Sequence, residues 1–251
     1  MTAQTALAAP PRRPRFRIPV RLLATIAVVL LIGGGLVMMR MQRADLARRL
    51  LATSPLEVAS HPDLVRFAVA EAKPLFARNC ASCHGADMKG NKAIGAPDLT
   101  DNVWIYGDDT PYQIERTILY GIRSGHPKGH DITEMPAYGQ RGQLSDTDIN
   151  NVIQYLMQLN GRPFDSQAAG LGHATWDKAV CYDCHGSDGK GNLDYGAPDL
   201  TANVWAYGGD PRALYDSIYY GRHGTMPAWI GKLTLEQIRA LAVYVHVASH
   251  R

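Results

Sequence analysis

The sequence is short of cysteine, short of basic charge on most of its length and, over one stretch, without charge at all. Each shortage excludes something. Four cysteines occur in 251 residues. All four fall in two C-x-x-C pairs, each followed directly by His, so none is left for the disulfide framework of a small secreted fold. Residues 1–61 hold nine Arg against Asp45 and Glu57, a formal +7, whereas residues 62–163 and 164–251 each come to −2. A nucleic-acid-binding domain concentrates basic charge on a folded face, and here both later regions are mildly acidic. Leu22 to Met39 gives eighteen residues with no charge, close to the roughly 20 that span hydrocarbon at about 1.5 Å per residue. The following Met38-Met39-Arg40-Met41-Gln42 offers no small-residue cleavage site, which favours a retained membrane anchor over a cleaved signal peptide or a buried soluble helix.

What is present is organised around Cys80-Ala81-Ser82-Cys83-His84. C-x-x-C-H is the attachment pattern of a c-type haem: each sulfur adds across one vinyl group, and the adjacent His is directed at the iron as its proximal ligand. The pattern recurs as Cys181-Tyr182-Asp183-Cys184-His185. Zinc sites and thiol redox centres share the bare C-x-x-C spacing. A His directly after both pairs would arise by chance on the order of one time in a thousand. Two covalently bound haem c groups are therefore expected, at Cys80 and Cys83 with His84, and at Cys181 and Cys184 with His185.

In order along the chain, residues 1–21 read as a basic, disordered leader, 22–39 as the transmembrane anchor and 40–70 as a mostly helical stalk. Pro55 stops its first helix, and Ser60 caps a further turn at Pro62. Residues 71–163 and 164–251 read as two helical domains that are copies of one another. Gly95-Ala96-Pro97-Asp98-Leu99-Thr100 recurs as Gly196-Ala197-Pro198-Asp199-Leu200-Thr201 at an offset of 101, and Tyr120-Gly121 as Tyr220-Gly221 at 100. The offset then drops to 91 for Met135-Pro136-Ala137 against Met226-Pro227-Ala228, so the first copy carries about nine extra residues around His126 and His130. Each copy closes on an amphipathic stripe, Ile149, Val152, Ile153 and Leu156 in the first. In the second, a Thr234/Gln237 capping-box pattern precedes Ile238, Leu241 and Val245. The fold class is all-α: one transmembrane helix followed by two tandem cytochrome c-like helical domains.

Met135 and Met226 stand before Pro at matching loop positions, poor places for core packing, and are the expected distal iron ligands. The competing ligands are His126 and His130 in the first copy and His223 in the second. The carbonyls of Pro97 and Pro198 are candidates to accept a hydrogen bond from the proximal His. Trp104 with Tyr106, and Trp205 with Tyr207, are candidates to line the haem near a propionate. Core filling is an equal alternative for all six.

The arginines flank the apolar segment on both sides, so charge gives little orientation. Haem is attached to such cytochromes outside the cytoplasmic membrane, which places both haem segments in the periplasm and the amino terminus in the cytoplasm. Mildly acidic domains suit encounter with a basic electron donor by long-range steering. Two occupied axial positions on each iron argue against a dihaem peroxidase.

The words Gly196-Ala197-Pro198-Asp199-Leu200-Thr201, Val204-Trp205-Ala206-Tyr207-Gly208-Gly209, Tyr220-Gly221-Arg222 and Thr225-Met226-Pro227-Ala228-Trp229 go well beyond C-x-x-C-H. This run resembles the second haem domain of the dihaem subunit (subunit III) of cbb(3)-type cytochrome c oxidase. Tyr120-Gly121-Ile122-Arg123-Ser124-Gly125-His126 and Glu134-Met135-Pro136-Ala137-Tyr138-Gly139 agree in the first, so the resemblance covers roughly residues 71–249. It implies a bacterial inner-membrane, single-pass subunit with no catalytic residues of its own. Such a subunit relays electrons from a soluble c-type cytochrome, through a monohaem partner, to a catalytic subunit carrying b-type haem and copper. A free-standing membrane-anchored dihaem shuttle is the alternative. Members of that family commonly carry an acidic, Asn-Pro and Trp-Trp segment ahead of the transmembrane helix. Residues 1–21 have no acidic residue, Asn or Trp.

Overall fold

A computed structural model describes residues 19–131 and 133–250. All but the end of the basic leader (1–21) lies outside the described residues. The chain divides between Asp45 and Leu46 into two compact units.

Helix α1 (Val20–Ala52) is 33 residues long with no Pro. In the first unit its apolar side chains stand exposed, Leu31 at 76% and Met41 at 68%. A helix with apolar side chains all round its exposed surface is suited to hydrocarbon rather than water. Its length and composition fit a single membrane anchor.

The second unit begins with the last turns of α1, so residues 46–70 of the expected stalk (40–70) are part of it. Leu50 and Val58 are fully buried and Leu64 nearly so. Leu46 and Leu50, four apart, share one face of α1, and both belong to the hydrophobic core. After Ala52 the chain turns through Pro55 and a short 3-10 turn (Val58–Ser60) into α2 (Pro62–Asn79). Pro62 opens α2 as expected, but its N-cap is His61, which makes no side-chain cap bond, rather than Ser60.

The remaining helices follow in two matching series. The first is α3 (Ala81–His84), α4 (Pro111–Tyr120) and α5 (Asp146–Leu159); the second is α6 (Ser166–Lys178), α7 (Tyr182–His185), α8 (Pro211–Tyr220) and α9 (Leu235–Ser249). Their starts are written locally. Thr110 and Asp210 cap α4 and α8 with Pro at the first helical turn, and capping boxes of Ser145 with Asp148 and Thr234 with Gln237 open α5 and α9. Among the described residues there is no β-strand, only isolated bridges.

The two series exchange their last helices. α9, from the second repeat, lies against α2 and α4 of the first, while α5, from the first, lies against α6 and α8 of the second. One core therefore joins Leu64, Phe67, Ile114 and Ile118 to Ile238, Leu241 and Val245. The other joins Ile149, Ile153 and Leu156 to Trp176, Leu214 and Ile218. Each fully buried aliphatic side chain on the exchanged helices contributes about 1.5–3 kcal/mol. The exchange has a local cause: only Asn160–Asp165, six residues, connects α5 to α6. So short a connection makes consecutive helices antiparallel neighbours. Gly172 of α6 leaves room for the α5 backbone at Asn151, where a Cβ would collide.

Candidate haem-binding sites

In each C-x-x-C-H the two Cys and the His stand at i, i+3 and i+4, which share one face of a helical turn. The structure has that turn in both places, with the His84 N–H donating to the Cys80 carbonyl and the His185 N–H to that of Cys181, each at 3.0 Å. Gly85 (φ 78°) and Gly186 (φ 74°) end the turns in a conformation that favours glycine.

The loops that follow bring a carbonyl back to each His. Bridges Asn91–Ala96 and Asn192–Ala197 fold the chain over. His84 Nδ1 then lies 3.3 Å from the Pro97 carbonyl oxygen, and His185 Nδ1 3.2 Å from that of Pro198. A carbonyl only accepts, so Nδ1 carries the proton and Nε2 keeps its lone pair. Burial pushes both imidazoles below their ordinary pKa, with the carbonyl bond opposing it. Each His is thus a neutral, oriented donor of Nε2, the form that ligates a metal.

The cysteines fit haem better than the alternatives sharing their spacing. Cys80 and Cys181 thiols are pushed up to about 11, chiefly by burial. A redox dithiol needs the opposite shift. In the haem-loaded chain these sulfurs are thioethers and do not titrate. Among the described residues, neither C-x-x-C-H gathers three side chains around a point that could hold a bare ion.

The distal candidates reach their places through the exchange. Met226 packs against the core that also receives Cys80, Leu99 and Trp104, and Met135 against the one that receives Cys181 and Trp205. Backbone pairs fix this. Ile122 and Met226 exchange two N–H to carbonyl bonds, both 2.9 Å, and Arg222 and Met135 exchange two of 3.0 and 3.1 Å. Gly121 (φ 73°) and Gly221 (φ 72°) make the crossings possible, since a Cβ would strike the backbone at the other repeat's Met. His126 stacks on Tyr120 at 4.8 Å; His130 sits against Tyr106 at 4.9 Å with its Nε2 3.2 Å from the Thr117 hydroxyl. His223 lines a shallow hollow with Met135 and Tyr220.

Several buried donors have no partner among the described residues: Trp104 Nε1, Trp176 Nε1, and Nε and Nη2 of Arg162. Orphaned buried donors cost roughly 1–3 kcal/mol each, and a bulky group bearing carboxylates beside these cores would satisfy them. Haem, with its propionates, is such a group, so the residues present fit it. Trp104 packs against the core that receives Cys80 and Met226, and Trp205 against the one that receives Cys181 and Met135, where Gly209 leaves room for its ring. Tyr106 and Tyr207 cross over: a Cβ on Gly196 would enter the Tyr106 ring, and one on Gly95 the Tyr207 ring. Each tyrosine therefore faces the haem loop of the other repeat. Arg123 donates to the Tyr106 hydroxyl at 2.8 Å, and the Arg222 guanidinium lies 4.2 Å from the Tyr207 ring centroid. Sequence reasoning missed Arg123, Arg222, Arg162 and Trp176. An Arg one or two residues after each Tyr-Gly was the available signal for the first two.

Two oriented His-bearing C-x-x-C-H turns, each in a small helical core with a Met-Pro segment, define a tandem c-type cytochrome. Comparison with known proteins agrees. Residues 69–160 match the family described as cytochrome c, and residues 167–245 match cytochrome c oxidase, cbb3-type, subunit III. The chain is 40% identical over 204 residues to cbb3-type cytochrome c oxidase subunit FixP of Bradyrhizobium sp. ORS 278, covering 81% of this chain and 69% of the relative. It is 37% identical over 203 residues to subunit CcoP of Cereibacter sphaeroides, with 81% and 69% covered. Against FixP of Azorhizobium caulinodans it is 46% identical over 198 residues, with 78% and 65% covered. The chain belongs to the CcoP/FixP family of cbb3-type cytochrome c oxidase subunits, and it carries two covalently bound haem c groups.

Proposed function

We propose that this chain is the electron-entry subunit of a cbb3-type oxidase. It would stand on the periplasmic side of the bacterial inner membrane on a single anchor, α1. It would take electrons from a soluble c-type cytochrome and pass them, through a monohaem subunit, to the catalytic subunit. The observation that supports the reading is that each Met-Pro segment packs against the core that receives the other repeat's C-x-x-C-H cysteine, in one compact unit. When bound, each haem supplies an iron that takes up and releases one electron.

The residues would divide the work as follows. Cys80 and Cys83, and Cys181 and Cys184, hold the two groups covalently. His84 and His185 present Nε2 to iron, fixed by the Pro97 and Pro198 carbonyls. Met226 completes the site of His84, and Met135 that of His185. A thioether opposite His favours reduced iron and raises the potential. With a His and a Met both committed to each haem, neither site would be open to oxygen or peroxide. The mildly acidic unit favours a basic donor, through an attraction that falls with salt.

The test is to purify the chain from gently solubilised membranes and assay what accompanies it. Recovery of b-type haem, copper and a monohaem subunit is the expected result. Recovery of this chain alone, with two c-type haems, would instead support the free-standing shuttle. Carbon monoxide binding by the reduced isolated chain would favour a peroxidase.

A further inference from the structure

Away from the haem turns, three metal-ligating side chains converge at the end of α9. His246 and His250 are four apart, on one face of the helix, with ring centroids 4.4 Å apart. Asp109 faces them from the loop ahead of α4. One ligand atom from each of the three lies within 4.8 Å of the others. No step of the electron-transfer reading uses them.

Their hydrogen bonds decide which atoms are available. His246 Nδ1 is 2.7 Å from the Asp109 main-chain carbonyl, and His250 Nδ1 is 2.8 Å from that of His246. Carbonyls only accept, so each Nδ1 carries a proton and each neutral ring has its lone pair on Nε2. Backbone carbonyls holding the far ring nitrogen are the usual support of metal-ligating histidines. His250 Nε2 then points at Asp109 Oδ2 from 3.0 Å. At that distance the lone pair of a neutral ring repels the carboxylate unless a positive centre lies beside both; a protonated ring paired with Asp109 is the alternative. That separation suits two ligands of one ion at about 2.0–2.2 Å each.

We propose that Asp109, His246 and His250 form a site for a divalent transition metal of the zinc type. The two Nε2 atoms and the Asp109 carboxylate are its protein ligands, and water takes the fourth position. Two imidazoles and one carboxylate are a borderline donor set that suits Zn²⁺ or Cu²⁺ rather than Mg²⁺ or Ca²⁺. The ion would tie the last turn of α9, the helix supplied by the second repeat, to the loop leading into α4 of the first. It would thereby clamp the exchanged helix onto the lobe of His84. The proposal does not rest on the choice of electron donor or oxidase partner.

The test uses the haem-loaded full chain, carrying an affinity tag free of histidine and stripped of loose metal with a chelator. Zn²⁺ binding is measured by equilibrium dialysis with elemental analysis for the parent, His246→Gln, His250→Gln, Asp109→Asn and, as a control, His61→Gln. The expected result is one Zn²⁺ per chain, at least tenfold weaker in each of the three site variants and unchanged in the control. Added Zn²⁺ should raise the unfolding temperature of the parent and of His61→Gln only. Haem absorption spectra matching the parent show that the variants are folded. The proposal is overturned if no stoichiometric Zn²⁺ binds, or if binding survives in both histidine variants. It is equally overturned if the only observable is a metal-independent ion pair of protonated His250 with Asp109.

Discussion

The two lobes of the second unit are copies in sequence around the haem turn and differ where helices meet. Around the turns they agree closely: the Pro carbonyl contacts differ by 0.1 Å, and Asp98 and Asp199 hold the same bonds to Thr100 and Thr201. At the exchanged helices they part. In the lobe of His84, Glu115 of α4 and Arg239 of α9 form an ion pair with both side chains about nine-tenths buried. Arg239 also donates to the Leu50 and Thr53 carbonyls at the end of α1. In the lobe of His185 the corresponding tie is a hydrogen bond of 2.6 Å from the Tyr215 hydroxyl to Asp146. The Asp146 carboxylate pushes that hydroxyl up to about 12, so the donor keeps its proton at neutral and mildly alkaline pH. One difference falls beside the turn itself. Met88 holds a left-handed φ of 65° while its side chain is buried in the core, where the matching Gly189 (φ 74°) meets no conformational penalty. The contacts that orient the proximal histidines are thus held constant, and the helix contacts carry most of the variation.

The comparison can be broken most severely at the ligands. Met226→His should lower the potential of one haem, and Met135→His that of the other. Each shift should be on the order of a few hundred millivolts, within the roughly 0.8 V that axial ligands span. Redox titration of each variant checks this, and an unmoved potential would remove that Met from the ligand set. Next comes Arg239→Ala, which leaves Glu115 buried without its partner and should cost about 3–5 kcal/mol in denaturant unfolding. Tyr215→Phe at the matching tie should cost clearly less; equal losses would mean the lobes are joined alike. Gly121→Ala and Gly221→Ala should each destabilise by about 1–3 kcal/mol from backbone strain alone. Because the new Cβ meets the backbone at the other repeat's Met, each should also weaken Met ligation there, read as a lost thioether–iron charge-transfer band.

The smallest effect sharpens the side on which the lobes agree. Burial tends to raise the Asp98 carboxyl, but bonds from Thr100 and Lys89 outweigh it and hold the pKa below its ordinary value. Asp199 is lowered likewise, with Thr201 and Lys190 as its partners. A depressed folded pKa contributes stability above the unfolded value of about 3.9, lost as pH falls through the folded value. Asp98→Asn and Asp199→Asn should therefore each cost about 1 kcal/mol at neutral pH and flatten the acid limb below about pH 4. Unequal losses would contradict the symmetry of the turns.

Much of the site was legible because short spacing determines it. C-x-x-C-H places its three groups on one helical face, and the repeated Gly-Ala-Pro loop pointed to the contacts of Pro97 and Pro198 with the histidines. The Thr234/Gln237 box was equally local. The exchange was not read, because periodicity shows that Ile149, Val152, Ile153 and Leu156 form an apolar face but not which face they meet. Two copies of one groove make either partner acceptable by pattern. The six-residue connection between α5 and α6 was the signal that separates them. The packing of the expected stalk was not read for another reason. Arg48 and Arg49 beside Leu50 and Leu51 give an amphipathic pattern but not the face it meets; Arg49 pairs with Asp63 at 2.7 Å and Leu50 is buried.

The central claim is that each haem turn is completed by the other repeat. It is tested most directly in chains that carry one haem only. With Cys80 and Cys83 replaced by Ala, the remaining haem sits on Cys181 and Cys184, and Met135→His and Met226→His are titrated in turn. The account predicts that Met135→His lowers its potential and Met226→His leaves it unchanged, with the reverse in the chain lacking Cys181 and Cys184. A fall caused by Met226→His in the first of these chains would show that each Met serves its own repeat and would contradict the exchange.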